Sequence, residues 1–478
     1  MPKSIPRPVL ILVSFLLLLG LYYPSLNGDP IWDDYHNIFN DSVITGNFSY
    51  WTIFKDFAWP ISVSAKKFLY SLWKDEYFYY HLLNLLLHFL NSYLFLKTLE
   101  KFNLPYRRLT YFLFLLHPSN VISVSWMVQL KTLMCFTFAI SALLFLIKAM
   151  EDKRFYPLAW ISFLLSLLAK SASLPLSLIF VIYAYKKKGR SQLIWTLPFV
   201  IFSFYSGYKT LKSEITTSAS KQIESKSFVA VENRNPQNNQ VKVEVIPEAP
   251  VQAAVPENKT FKQFKERTGL FFKTSHYYFW QVMLPLDSFP VQGQAIKETG
   301  LLEFLHIIFL ALLIFLNRGT LSGLMLLAGY VMLSPFLGIL SAPYMTLTWV
   351  SEQHMYLALP FMLCFWVGIF AKWKFKFSHA IPILVVTFFS FQTFKAASYY
   401  KNEIIFYSKS LQANPNNIPI AYNLAVAYLK RNENENALAV TSRVIEMGNT
   451  NSEIKQSKYF PYISVLHGKI AKHNLQKP

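Results

Sequence analysis

Apolar residues fall in long runs, separated by short polar or basic stretches, over most of the chain as far as about residue 397. A membrane-spanning helix needs roughly 17–25 mostly apolar residues. The first such run, Pro8 to Leu26, follows Lys3 and Arg7. No small-x-small cleavage site comes after it, so it reads as an uncleaved anchor rather than a signal peptide. Further runs lie at 78–98, 109–127, 132–148, 155–169, 172–185, 192–208, 299–316, 320–340, 355–371 and 380–397, which predicts eleven spans. An odd number places the two ends of the chain on opposite sides of the membrane.

Four segments break this pattern. Residues 27–77 form a loop rich in Trp, Tyr, Phe and Asp, and residues 209–268 are polar enough to be read as a disordered loop. In 269–298, Phe271, Phe272, Tyr277, Tyr278, Phe279 and Trp280 predict an interfacial helix at headgroup level. The tail, 398–478, changes period. A helical stretch ends at Ala413-Asn414-Pro415, a second with small residues on one face follows at Ala421 to Leu429, and a third contains Ala437, Leu438, Ala439 and Ile445. That spacing is tetratricopeptide-like, and so short an array needs a neighbour to pack against. The expected organisation is a membrane core over 1–208, a disordered loop over 209–268, an interfacial helix with the last spans over 269–397, and a helical tail over 398–478.

Composition agrees with a membrane class. Charged residues make up 15% of the chain, against about 25% in soluble domains, and the mean hydropathy is +0.29. The two cysteines, Cys135 and Cys364, both lie in apolar runs, which excludes a disulfide framework. The net charge of +20 suits nucleic acid, an acidic membrane surface or a topology signal, and position decides between them. With the N-terminus in the cytoplasm, 17 Lys and Arg lie on the cytoplasmic flanks against Glu100, Glu151 and Asp152, so these flanks hold +14 of the +20. This is the positive-inside pattern, and no nucleic-acid partner is needed to explain the charge. The C-terminus then lies outside.

The polar residues left over gather on the outer side. Asp33 and Asp34, behind Trp32, could deprotonate a hydroxyl or hold a cation. His81, Asn84 and His88 share one helical stripe, which suits either function or helix–helix hydrogen bonding. His117 precedes Pro118 within the third run. Lys131 and Lys170 sit at outer turns, against the positive-inside trend, where each needs an anionic partner such as a phosphate or must snorkel. Glu352, His354 and Tyr356 mark the outer end of the tenth run. The chain has no Walker loop, dinucleotide fingerprint, G-x-S-x-G elbow or H-E-x-x-H pair.

Taken in order, Trp32-Asp33-Asp34, Tyr80-His81-Leu82-Leu83-Asn84-Leu85-Leu86-Leu87-His88, Leu116-His117-Pro118 with Trp126, Ala169-Lys170-Ser171, Glu352-Gln353-His354-Met355-Tyr356-Leu357 and a repeat-like tail resemble the transmembrane and tetratricopeptide-repeat O-mannosyltransferases of the GT-C superfamily. The resemblance implies an all-α polytopic fold and a polyprenyl-phosphate sugar donor, with mannose as one candidate sugar. It further implies an extracytoplasmic protein or glycan acceptor, and inversion at the anomeric carbon. Asp33 or Asp34 would be the base and Lys131, Lys170 and His354 would hold the donor phosphate, with His81, His117, Glu352 and Tyr356 in support. A divalent cation is a possible cofactor. Three family positions differ: Gln353 stands where Arg is usual, Ser171 where Glu is usual, and Lys131 near where Arg is often found. Losing a bidentate Arg is not conservative.

Two other functions fit the same pattern: a membrane scaffold that recruits an envelope assembly through its tail, and a transporter of lipid-linked sugars. Polar groups gathered on the outer side favour surface chemistry over transport. The short loops suggest a bacterial inner membrane with the site in the periplasm. An endoplasmic reticulum membrane would give the same orientation, and sequons at Asn47-Phe48-Ser49 and Asn258-Lys259-Thr260 lie on that side.

Overall fold

In the computed structural model, the described residues are 6–220, 228–234, 241–247, 261–286, 288–293, 300–339, 343–346, 348–372, 380–457 and 459–475. They are helical apart from one antiparallel strand pair, Phe228–Arg234 with Val241–Pro247, in register Phe228 opposite Pro247. Four helices are long and apolar enough to cross a membrane: Arg7–Leu26, Tyr77–Lys101, Met127–Ala149 and Ala380–Ser398. At about 1.5 Å per residue, the 25 residues of Tyr77–Lys101 reach beyond the ≈ 30 Å hydrocarbon layer. Shorter apolar helices are Leu301–Leu316, Leu321–Phe336 and Leu359–Lys372. The helices are compatible with a membrane protein.

Several expected segments take another form. The run at 109–127 is not one helix. It is Arg107–Leu115, a tight turn at Pro118–Asn120, and a short helix Val121–Ser125. Pro118 has no N–H to give and disfavours helical backbone at His117, which adopts φ −72°, ψ 125°. Of the loop expected to be disordered at 209–268, residues 221–227, 235–240 and 248–260 lie outside the described residues, and the others are the end of a helix that runs from Leu193 to Ser220, the strand pair, and the start of helix Phe261–Gln281. That last helix does not lie at a headgroup surface along its whole length. Tyr278 and Phe279 are fully buried, and the Phe279 ring meets His306, Phe309 and Trp366.

The loop after the first span is built from short helices. Asp41 and Ser49 cap Ser42–Thr45 and Tyr50–Asp56 by accepting from the backbone N–H of Val43 and Thr52. Pro60–Trp73 follows, with Pro60 in the first turn where its missing N–H costs nothing. Lys67 Nζ donates to the carbonyls of Val43 and Ile44, closing the end of the first short helix.

In the tail, Asn402 and Asn417 cap the helices Glu403–Ala413 and Ile418–Lys430 through the N–H groups of Ile405 and Ile420. Helices Asn434–Thr450 and Phe460–Leu475 complete it around Tyr422, Ala425, Val444 and Ile463. Phe406, Tyr407, Ile420 and Leu424 belong instead to the core of the membrane part, so the first two tail helices are continuous with it.

The contact is close at Gly28. A Cβ there would lie 2.4 Å from the Tyr400 carbonyl oxygen and 3.0 Å from that of Ser25. Both are backbone atoms that cannot swing away. Gly28→Ala is expected to cost about 1–3 kcal/mol through overpacking, seen as a lower melting temperature of the detergent-solubilised chain. An unchanged melting temperature would show that the loop and tail are not in this contact.

Candidate active site

The site begins with the short chain between the first span and the loop helices. Asp34 is fully buried. Its Oδ2 accepts the N–H of Ile31 at 3.1 Å and its Oδ1 the N–H of Val128 at 2.8 Å. Burial pushes its carboxyl up to about 8, and the two backbone hydrogen bonds oppose that shift. With both oxygens engaged, Asp34 is a clamp between the loop and the turn ahead of the Leu130–Ala149 helix. Asp33 is only half-buried. Of the two expected carboxylates, it is the one with a face open to a reactant.

Trp32 precedes them in left-handed backbone, φ 47°, a region that a bulky residue rarely adopts. Three neighbours hold it there. Tyr407 Oη accepts its N–H at 3.2 Å, and the rings of Trp126 and Phe406 lie 6.4 and 6.2 Å from it. Trp126 Nε1 donates to Ile31 O at 3.3 Å, and Asn84 Nδ2 donates to Trp126 O at 3.1 Å.

Cations face this pair of carboxylates. Lys66, unmarked by sequence reasoning, is buried, and its Nζ donates to Asn37 O at 2.8 Å. Burial and the charge of Lys131 bring it down to about 8, against attraction from Asp41, Asp33 and Asp34. Lys131 is half-buried, with its Nζ 5.7 Å from the centre of the Trp59 ring, and it feels the charges of Asp33 and Asp34. Lys170 is 7% exposed and donates to Thr132 Oγ1 at 2.8 Å. Burial, then Lys131, brings it down to about 7. Neither buried lysine snorkels.

Thr132 in turn donates to Gln129 Oε1 at 2.7 Å, and Gln129 Nε2 donates to Gln353 Oε1. Gln353 therefore closes a polar chain from Lys170. His354, beside it, is 8% exposed and stacks on Phe336, with ring centres 3.8 Å apart and an angle of 13°. Neither ring nitrogen has a hydrogen-bond partner among the described residues. Burial and the charges of Lys170 and Lys131 hold it well below its ordinary range, so His354 is neutral. It can offer one N–H and one lone pair, but no charge.

The remaining expected residues are structural ties. His81 meets Gly28 O at 3.3 Å. His117 Nδ1 accepts the N–H of Ser119 at 3.2 Å, leaving Nε2 to donate to Val282 O at 3.2 Å. Tyr356 Oη lies 2.8 Å from His88 Nδ1 and accepts from Asn91 Nδ2 at 3.2 Å. The stripe thus ties its helix to the first loop through Gly28, to the turn at Trp126, and to the end of the Arg107–Leu115 helix through Leu115 O. Glu352 is buried, and its Oε1 accepts from Tyr277 Oη at 2.7 Å and from Gln281 Nε2 at 2.8 Å. Burial still brings its carboxyl up to about 7.

Among the described residues, no three His, Cys, Asp or Glu side chains converge on a point that could hold a metal ion. A cation at this site would have Asp33 as its accessible ligand. An apolar cavity of about 480 Å3 runs between helices, lined by Phe136, Ile140, Met332 and Phe361. Leu176 and Leu357 line it shortly after Lys170 and His354 in sequence, and Lys186 and Lys187 line it farther along the Leu176–Lys188 helix.

Sequence reasoning missed Lys66, Gln129 and Thr132. A lysine in an amphipathic loop helix, and a Gln-x-Lys-Thr order at a span start, were the only signals available. No family model matches the chain, nor does any curated protein or solved structure.

The buried ionisable groups set a pH dependence. Glu352, raised in the fold, contributes stability fully present below its ordinary value near 4.5 and lost as pH rises through about 7. Lys170, lowered in the fold, acts oppositely. Its penalty is full below about 7 and fades as pH rises towards its ordinary 10.5. Glu352→Gln should flatten the fall in melting temperature on the acid side of neutrality, and Lys170→Met the rise on the alkaline side. Parallel curves for wild type and variants would contradict the burial of both groups.

Proposed function

We propose that this chain is a membrane glycosyltransferase of GT-C type, moving a sugar, with mannose as the first candidate, from a polyprenyl-phosphate donor to a hydroxyl of an extracytoplasmic protein or glycan. The observation that carries the reading is one half-buried carboxylate, Asp33, whose charge acts on Lys131, while Lys131 and Lys170 act in turn on neutral His354. A base and a set of cations on one rim are what sugar transfer from a phosphate needs.

Asp33 takes the proton of the acceptor hydroxyl. The acceptor oxygen attacks the anomeric carbon with inversion. The bond from that carbon to the phosphate oxygen breaks, and its electron pair leaves on polyprenyl phosphate. Charge growing on the leaving phosphate is stabilised by cations already fixed in a water-poor site. Lys131 and Lys170 supply that charge, and His354 supplies a hydrogen bond. Asp34 holds the loop rather than taking the proton. The apolar cavity lined by Leu176 and Leu357, a few residues past Lys170 and His354 in sequence, suits a lipid chain. A divalent cation, if used, would sit at Asp33.

The wider reading has about eleven spans, the N-terminus in the cytoplasm and the tetratricopeptide-like tail on the site's side. The host membrane is then a bacterial inner membrane with the site in the periplasm. The charge pattern of the flanks supports this orientation.

Asp33→Asn should lower transfer by about 10²–10⁴-fold, the usual worth of a general base, while donor binding persists. Sugar transfer from radiolabelled polyprenyl-phosphate mannose to a peptide, in vesicles holding equal amounts of inserted protein, measures it. Full transfer by this variant would sink the mechanism. Lys170→Met should weaken donor binding and slow transfer together in the same assay.

A further inference from the structure

The apolar cavity of about 480 Å3 has one charged end. Its wall on the Leu176–Lys188 helix begins at Leu176 and finishes at Lys186 and Lys187. From Leu176 to Lys187 a helix rises about 16 Å, half of the ≈ 30 Å hydrocarbon layer. Leu178 on this helix and Leu327 on the Leu321–Leu333 helix also line the cavity, and they are 51% and 40% exposed. The wall therefore reaches the outer surface of the helix bundle, which in a membrane is the hydrocarbon itself.

At the charged end, Phe102 and Tyr183 both line the cavity, and their ring centres lie 5.7 Å apart. Lys186 and Lys187 are exposed, and neither has a hydrogen-bond or ion-pair partner among the described residues. The charge of Glu151 reaches Tyr183 but pairs with neither lysine. Lys188 and Arg190 carry the basic run past the cavity. The positive-inside pattern accounts for basic residues on this flank. It does not account for two of them walling an apolar space.

We propose that this cavity binds an anionic glycerophospholipid, with its phosphate at Lys186 and Lys187 and an acyl chain in the apolar part. Three features select that occupant. A wall that reaches the hydrocarbon admits a bilayer lipid from the side. A length of half the hydrocarbon layer matches the chain of one leaflet, and a polyprenyl chain is much longer. Two unpaired cations complement a net negative headgroup, and basic pockets between helices on the cytoplasmic side hold such headgroups. On the positive-inside reading, the lipid comes from the cytoplasmic leaflet. Its chain supplies contacts that the lining of an empty cavity lacks, so it packs as part of the bundle. The site does not rest on the transferase reading, in which the donor phosphate stands near Lys170, ahead of Leu176 in the chain.

The full chain in mild detergent is offered equal amounts of phosphatidylglycerol and phosphatidylcholine with the same acyl chains, and bound lipid is weighed by native mass spectrometry. Wild type should retain phosphatidylglycerol in preference by about tenfold or more. Lys186→Gln combined with Lys187→Gln, both exposed positions, should cut the preference to about twofold or less. Lys55→Gln, exposed on the loop after the first span, should leave it as in wild type. Phosphatidylglycerol with a photoreactive diazirine in its acyl chain should label residues that line the cavity. Equal retention of the two lipids by wild type, an unchanged preference in the double variant, or labels confined to other helices would overturn the proposal. So would a polyprenyl phosphate held through the same two lysines in preference to phosphatidylglycerol. Sugar transfer separates this site from the proposed activity. A chain with the lipid preference and no transfer keeps the site and loses the transferase. One that transfers sugar without the preference keeps the transferase and loses the site.

Discussion

The site depends on one carboxylate that is out of reach of any reactant. Asp34 accepts from Ile31 on one side and Val128 on the other, two segments almost a hundred residues apart. Burying a carboxyl is costly unless its oxygens are satisfied, and here both are. The clamp sets where Asp33 stands relative to Lys131, which lies just past Val128 in the same stretch of chain. Trp126, bonded to Ile31 O and to Asn84, repeats the tie one step away. Without these bonds the loop would lose its tie to the turn ahead of the Leu130–Ala149 helix.

Around the clamp, the cations are kept by burial as much as by pairing. Lys66 has a carbonyl and Lys170 a hydroxyl, neither of which carries a full negative charge. Both lysines are therefore easier to discharge than a surface lysine, and more eager for an anion than one already in a salt bridge. Ion pairs occur instead at the periphery, as at Arg7 with Glu100 and Arg431 with Asp29. Exposed pairs of that kind are worth little. The strong electrostatics of this protein are thus concentrated where charge is least compensated.

Much of this was legible in the sequence, and the rest was hidden for physical reasons. Of the eleven apolar runs read as spans, four correspond to described helices long and apolar enough to cross a membrane, because hydrophobic length is a one-dimensional property whereas helix breaks are not. The break at His117-Pro118 was visible as a proline, yet the run around it is apolar enough to pass for a span. Asp33 and Asp34 stood out as a pair, but their division into clamp and open carboxylate depends on the Val128 N–H, which no local pattern reveals. Tyr278 and Phe279 looked interfacial because aromatic residues suit both a headgroup layer and a core. Lys66 was passed over because a lysine on a loop helix is normally solvated, and only tertiary packing buries it.

Trp32 carries one further consequence, in the order of synthesis. Its left-handed backbone is held by Tyr407, which lies 375 residues later in the chain. A ribosome releases the loop long before it makes the hydroxyl that fixes the loop. Through most of translation, the segment bearing Asp33 lacks this anchor, although the helices on either side of it are already made. The last fifth of the chain thus acts as a latch on the first tenth. A truncated product would form its early helices and still leave this loop unanchored.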